Sequence, residues 1–112
     1  MDNKLSELSD FEINKRVAKI IGGSTPKVEE WGISRTVPDY CNNPGYAWPL
    51  IVDSKISVIW SVDEGCWCAN AGGAIEEGDW GWSEFPDFYS DNENPLRAAM
   101  IVFLMMQERR NG

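Results

Sequence analysis

The sequence predicts an α+β fold: a small antiparallel sheet containing 56–62 and 66–70, packed against an N-terminal amphipathic helix, 10–21, and a buried C-terminal helix, 95–109. Three observations carry this. Ser9 and Asn94 each stand where a helix N-cap is needed. The run Ile56-Ser57-Val58-Ile59-Trp60-Ser61-Val62 is β-rich and roughly alternating. Ala98 to Met106 is apolar without interruption. At 112 residues the chain fits one domain, 1–112, large enough to form a core without disulfide staples.

In chain order, Ser9-Asp10-Phe11-Glu12 is a capping box, with Leu8 and Ile13 at the flanking staple positions. Ile13, Val17, Ile20 and Ile21 then recur at helical spacing opposite Asn14, Lys15, Arg16 and Lys19, and Gly22-Gly23 ends the helix. From Ser24 to Tyr40 the pattern is weak, with short extended pieces around Val28, Trp31, Ile33 and Val37 broken by Pro26 and Pro38. Asn43-Pro44 repeats the helix-start signal. A second proline, Pro49, disfavours helical angles at Trp48, so the expectation is a turn followed by a brief helix or extended run, beginning at Pro44 or Pro49, and not one continuous helix. Asp63-Glu64-Gly65 is a turn that returns the chain antiparallel through Cys66-Trp67-Cys68-Ala69. Between Ala71 and Glu93 a third strand is expected around Trp80 to Phe85, because so long a structureless loop is unusual in a small domain. Asn94 caps, and Pro95 opens, the last helix. Its unbroken apolar stretch is far short of the roughly 20 residues of a membrane span, so it belongs in a core. A helix apolar on nearly every face needs much cover, which points to a homo-oligomer, a dimer in the simplest case.

Composition removes whole classes of function. There is no His, which takes away the usual neutral-pH base and every Ser-His or Cys-His arrangement. Net charge is −8, and 56–96 carries acidic but no basic residues, which argues against direct nucleic-acid or membrane binding. Three Cys with no secretory leader favour a reducing cytoplasm.

Three blocks deserve comparison with known families: Leu8-Ser9-Asp10-Phe11-Glu12-Ile13-Asn14-Lys15-Arg16-Val17-Ala18; Cys41-Asn42-Asn43-Pro44 with Ala47-Trp48-Pro49; and Asn94-Pro95-Leu96-Arg97 through Glu108. In this order they resemble the NinX-like small accessory proteins of tailed bacteriophages, a family without an established biochemical activity. The resemblance implies a phage or prophage origin and work in the host bacterial cytoplasm. It brings no catalytic residue with it. Residues 22–38 and 63–92 add nothing to this resemblance, so what is particular to this member is expected there.

Several constellations could carry chemistry. Cys66 and Cys68 with Cys41, and Asp39 or Asp63 as a fourth ligand, could hold zinc. Structural zinc sites favour two-residue spacers and often His, so small core thiols are the simpler reading and no metal or cofactor is expected. Glu76 and Glu77, or Glu84 with Asp87, could be paired acids for glycoside cleavage with Trp80 and Trp82 as sugar platforms. Adjacent acids in a Gly-rich stretch are more often a solvated face, and a non-enzyme is expected. A ligand site is the leading reading: helix N-termini capped by Asn94 and Asn43, the fixed charge of Arg97, and Trp31, Trp48 or Trp60 as stacking platforms would suit a small, host-derived, nucleotide-like molecule. Lys55 and Arg35 would add local positive charge. Such a protein would be a counter-defence or host-takeover factor that sequesters its ligand. The alternative is an acidic inhibitor or DNA mimic that blocks a basic host protein through Glu76, Glu77, Asp79, Trp80, Trp82 and Glu84.

Overall fold

The computed structural model describes residues 3–22, 37–72 and 87–111. Four helices, α1 (Asn3–Ser6), α2 (Asp10–Ile21), α3 (Pro44–Asp53) and α4 (Pro95–Asn111), accompany three strands, β1 (Ser57–Ser61), β2 (Cys66–Ala71) and β3 (Phe88–Asn92). The class is α+β, as expected. The strands form one antiparallel sheet in the order β1-β2-β3, with Ile59 opposite Cys68 and Cys68 opposite Asp91. α4 lies across β2 and β3 and only grazes β1, while α2 and α3 pack against α4. The C-terminal helix is therefore the middle layer.

That position explains its composition. Ala98 to Leu104 are all buried, because the sheet covers one side of α4 and α2 and α3 cover others. A helix between two layers needs no polar face. One chain supplies this cover, so the helix's composition does not by itself call for a second copy.

α2 starts where its capping box places it: Ser9 is extended, and its hydroxyl oxygen accepts from the Glu12 amide at 3.1 Å. The buried face differs from the expected stripe. Ile13, Asn14, Val17 and Ala18 are buried, whereas Ile20 and Ile21 are exposed. Asn14 turns inward because it bonds the segment before α3, and this rotates the stripe toward positions 14 and 18.

α3 corrects the expectation of an interrupted segment. It runs continuously through Pro49, with the Asn43 side chain accepting from the Gly45 amide at 2.9 Å. Pro49 lacks one helical donor, a loss limited to one turn, and burial of Ala47 and Ile51 on either side holds the helix together. The C-terminus closes in a Schellman motif. The Ile56 amide donates to the Ile51 carbonyl at 3.0 Å and the Lys55 amide to Val52, while Ile51 and Ile56 are both buried. Lys55 sits at the left-handed position, φ 59°, which glycine adopts without strain.

The hairpin also closes as predicted. Gly65, φ 68°, lets its amide reach the Ser61 carbonyl at 2.9 Å. Its face assignment needs correction: Cys66 and Cys68 do share a face, but Ala69 and Ala71 point to the core and the two thiols lie on the opposite side of the sheet. A third strand is formed by Phe88–Asn92. The segment around Trp80 to Phe85, where a strand is expected, lies outside the described residues, as do the pieces at Val28, Trp31 and Ile33.

Ile101→Ala in the middle layer should cost about 3 kcal/mol in a urea denaturation curve, within the usual range for emptying a packed site. Lys55→Gly should raise stability by about 0.5–1 kcal/mol by removing the left-handed penalty. A loss of stability in that variant would show that the Lys55 side chain outweighs its backbone.

Candidate functional site

The N-termini of α2, α3 and α4 gather at one place, and so do the three sequence blocks at Leu8–Ala18, Cys41–Pro44 and Asn94–Glu108. Asn94 caps α4 by accepting from the amides of Leu96 (2.9 Å) and Arg97 (3.3 Å). Its amide group donates to the Cys41 carbonyl at 2.8 Å and to the Asn42 side chain at 2.9 Å. Asn42 donates in turn to Asp10 and to both oxygens of Asp39. The buried Asn14 donates to Asp39 at 2.9 Å and accepts from the Cys41 amide at 3.0 Å. This is a closed polar clasp.

Arg97 is the cation of that clasp. Its Nη1 pairs with Asp10 at 2.6 Å, and its Nη2 donates to the carbonyls of Ser6 (3.0 Å) and Leu8 (2.6 Å). Its side chain is 13% exposed, against 44% for Asp10. Arg97 thus reaches the start of α2 instead of the acids nearest it in sequence, Glu93 and Asp91. An anion arriving here would compete with Asp10 for the guanidinium and meet Asp39 beside the helix ends. The fold's own carboxylates already occupy that position.

The other sequence-predicted residues disperse. Asn43 caps α3. Trp48, 60% exposed, stands on the outer side of α3, and Trp60, 47% exposed, stands on β1 against Trp67, ring centroids 5.3 Å apart in an edge-to-face pair. Lys55 lies at the far end of α3 from Asn43, about 15 Å along a ten-residue helix, beyond the ~8 Å over which salt lets it act on Arg97. Trp31, Arg35, Glu76, Glu77, Asp79, Trp80, Trp82 and Glu84 lie outside the described residues.

The thiols do not converge. Cys41 is buried beside the clasp while Cys66 and Cys68 are on the sheet's outer face, and among the described residues no group of three or more Cys, Asp or Glu is placed to hold a metal. Burial, then the charge of Asp10, pushes the Cys41 thiol up to about 12, against an opposing pull from Arg97. Burial and then a hydrogen bond with Asp91 push Cys68 up to about 11. Both are protonated at neutral pH, the wrong direction for a nucleophile or metal ligand.

At the other end of the molecule the helix C-termini frame a cleft of about 770 Å³. Ile20, Ile21, Leu50, Phe88, Phe103 and Met106 give it apolar walls, and Asp53, Ser54, Asp87, Gln107 and Arg109 give it a polar edge. Its size falls within the range of small-molecule sites. Arg109, 5.4 Å from the Phe88 ring centroid, is the one cation among the described lining residues. Sequence reading missed this cleft, although Ile20 and Ile21, apolar yet beyond the last buried turn of α2, were its visible signal. The clasp is hidden for a related reason: local pattern puts Asn14 on the solvent face.

The family profile described as Bacteriophage P22, NinX matches residues 4–107 of the chain. No curated protein and no solved structure matches it. Among the described residues no helix is long and apolar enough to cross a membrane.

Arg97→Ala strips three acceptors of their partner and should lower stability by about 2–3 kcal/mol. A double-mutant cycle with Asp10→Asn should return a coupling near 1 kcal/mol, and additivity of the two changes would dissolve the clasp. For Cys41 the direction of its shift fixes the pH response. Between the ordinary thiol value of 9.0 and about 12 the unfolded chain releases a proton that the native chain keeps, so stability is full below pH 9 and falls above it. In Cys41→Ala that part of the slope should vanish from denaturation curves taken between pH 8 and 11.

Proposed function

The chain belongs to the phage NinX family, and from that premise we propose that it is a non-catalytic accessory protein of counter-defence or host takeover that sequesters a small host-derived, nucleotide-like ligand. The cleft at the helix C-termini carries this reading. The helix N-termini do not, because Arg97 and Asn94 are engaged in the clasp. A planar ring would lie against Phe88, Phe103 and Met106, with Ser54, Asp53 and Gln107 at its polar rim. The non-catalytic part is supported by the lack of His and by thiols shifted away from reactivity.

Electrostatics narrows the ligand. Three helix C-termini, Asp53 and Asp87 put negative charge on the cleft's lining, and Arg109 is the one described lining group that opposes them. One phosphate beside Arg109 is acceptable; a run of them is not. Nucleosides, mononucleotides and cyclic mononucleotides are thus favoured over triphosphates.

A second reading has its own observation. Trp48 and Tyr46 are exposed on α3 of a protein with net charge −8, a combination that suits contact with a basic host protein. The acids Glu76, Glu77, Asp79 and Glu84 would then steer the encounter.

A thermal-shift and calorimetric series across nucleosides, mono-, cyclic and triphosphates should show binding at least tenfold weaker for triphosphates. Arg109→Ala should weaken phosphorylated ligands about tenfold and leave nucleosides unchanged. Met106→Trp, which fills the cleft, should abolish binding with the fold intact. If no compound shifts the protein and nothing copurifies from lysate, sequestration is wrong. Salt-sensitive capture of one basic protein, lost in Trp48→Ala, would then favour the inhibitor reading.

A further inference from the structure

The described lining of the cleft holds more hydrogen-bond acceptors than donors. Asp53 and Asp87 only accept when ionised, while Ser54 and Gln107 can accept or donate. Arg109 is the one obligate donor, and its guanidinium stands over the Phe88 ring. The helix ends that border the cleft add carbonyl oxygens, which are acceptors too. Among the described residues, the Asp53 and Asp87 side chains take part in no hydrogen bond and no ion pair, so both carboxylates are open to an incoming donor.

Asp87 has its place because of a glycine. The pairing of β2 with β3 ends at Ala71 opposite Phe88, and Gly72 and Asp87 are the next positions out. Gly72 has φ 90°, and a Cβ there would lie 2.6 Å from the Asp87 Cβ and 2.7 Å from its Oδ2. Any other residue would carry the cost of left-handed backbone and push the carboxylate aside. Asp87 and Phe88 both line the cleft, so an acceptor and an apolar wall come from consecutive residues. The facing polar residues, Asp53 and Ser54, come from the end of α3, and Phe103, Met106 and Gln107 from α4, on which both α3 and β3 pack.

On the reading of the cleft as a nucleotide site, we infer that it selects guanine, held through N1–H and N2–H by the Asp87 carboxylate. Among the common bases guanine alone presents N–H donors on two neighbouring atoms of one edge. A carboxylate answers them with two oxygens, and both bonds are charge-assisted. Adenine turns an N–H and a bare ring nitrogen toward the same place, and that nitrogen's lone pair would meet a carboxylate oxygen. Cytosine has the same mixed edge, and uracil sets its single N–H between two carbonyl oxygens. An unpaired acceptor against an acceptor is costly in a partly apolar cleft, so the other bases are disfavoured and guanine is drawn in.

Calorimetric titration with guanosine, inosine, 1-methylguanosine and adenosine tests the selection on the wild-type chain. Guanosine should bind about tenfold more tightly than inosine, which lacks the 2-amino group, and the loss should be larger for 1-methylguanosine and adenosine. Asp87→Asn replaces one acceptor oxygen by a donor N–H2, a pair that matches the mixed edge of adenine, so in this variant adenosine should bind more tightly than guanosine at unchanged Tm. A merely structural role for Asp87 would weaken all four nucleosides together without exchanging their order, and that result overturns the inference. A guanosine preference that survives Asp87→Asn overturns it as well. Equal binding of guanosine and adenosine to the wild-type protein removes the selection of guanine and leaves sequestration in the cleft standing. Binding of none of the four, and none of guanosine monophosphate, overturns both.

Discussion

The burial of α4 on all sides is the constraint from which the rest of the architecture follows. A helix with seven consecutive buried residues, Ala98 to Leu104, cannot lie on a surface. It must be enclosed, and a three-stranded sheet is too narrow to enclose it alone. The sheet takes one side, leaving α2 and α3 to close the others. Ala98 and Ala99 let the first turn come close to its neighbours, and the larger Met100, Ile101, Val102 and Phe103 fill the space farther along. Single-sided elements suffice everywhere else: α2 buries four residues, α3 buries Ala47 and Ile51, and β2 buries Ala69 and Ala71.

An enclosed apolar helix can slide or rotate against its neighbours, because dispersion and hydrophobic burial are not directional. The clasp removes that freedom. Asn94, Asn42, Asn14, Asp39, Asp10 and Arg97 join the beginnings of all three long helices through bonds whose geometry admits one register. The blocks that resemble the NinX family supply most of its members. What the family pattern specifies in this chain is therefore first a way of setting helices against one another.

The legible parts of the fold were those written locally. Ser9 and Asn94 announced their helices because a cap needs only its own next three residues, and the hairpin was readable because alternation and Gly65 are local too. Where a residue's role depends on a distant partner, local pattern misled. Asn14 falls among the residues expected to face solvent, since nothing near it in sequence reveals that its side chain donates to Asp39 and accepts from the Cys41 amide. Arg97 looked like a free charge at a helix start because Asp10 is 87 positions away. Pro49 seemed to forbid a continuous helix, but its penalty is one missing bond and the burial of Ala47 and Ile51 outweighs it. Cys66 and Cys68 were assigned to the right strand and the wrong face, because alternation fixes which residues share a side without saying which side meets α4.

Setting three helices with their N-termini together has an electrostatic consequence that links the clasp to the cleft. Each helix contributes partial positive charge at its start and partial negative charge at its end, worth roughly 0.3–1 kcal/mol to a well-placed counter-charge. Side by side, these charges add instead of cancelling. At the starts, Asp10 and Asp39 neutralise them, and Arg97 and the asparagine amides keep those carboxylates hydrogen-bonded. At the ends, Lys19 in the last turn of α2, Lys55 just after α3 and Arg109 in α4 offer compensation, with Asp53 and Asp87 at the same rim. The molecule is thus polar along its helix axes, with carboxylates gathered at the helix starts and a cation at the end of each long helix. The clasp places the helices, and their common direction decides which charges each end of the molecule must meet.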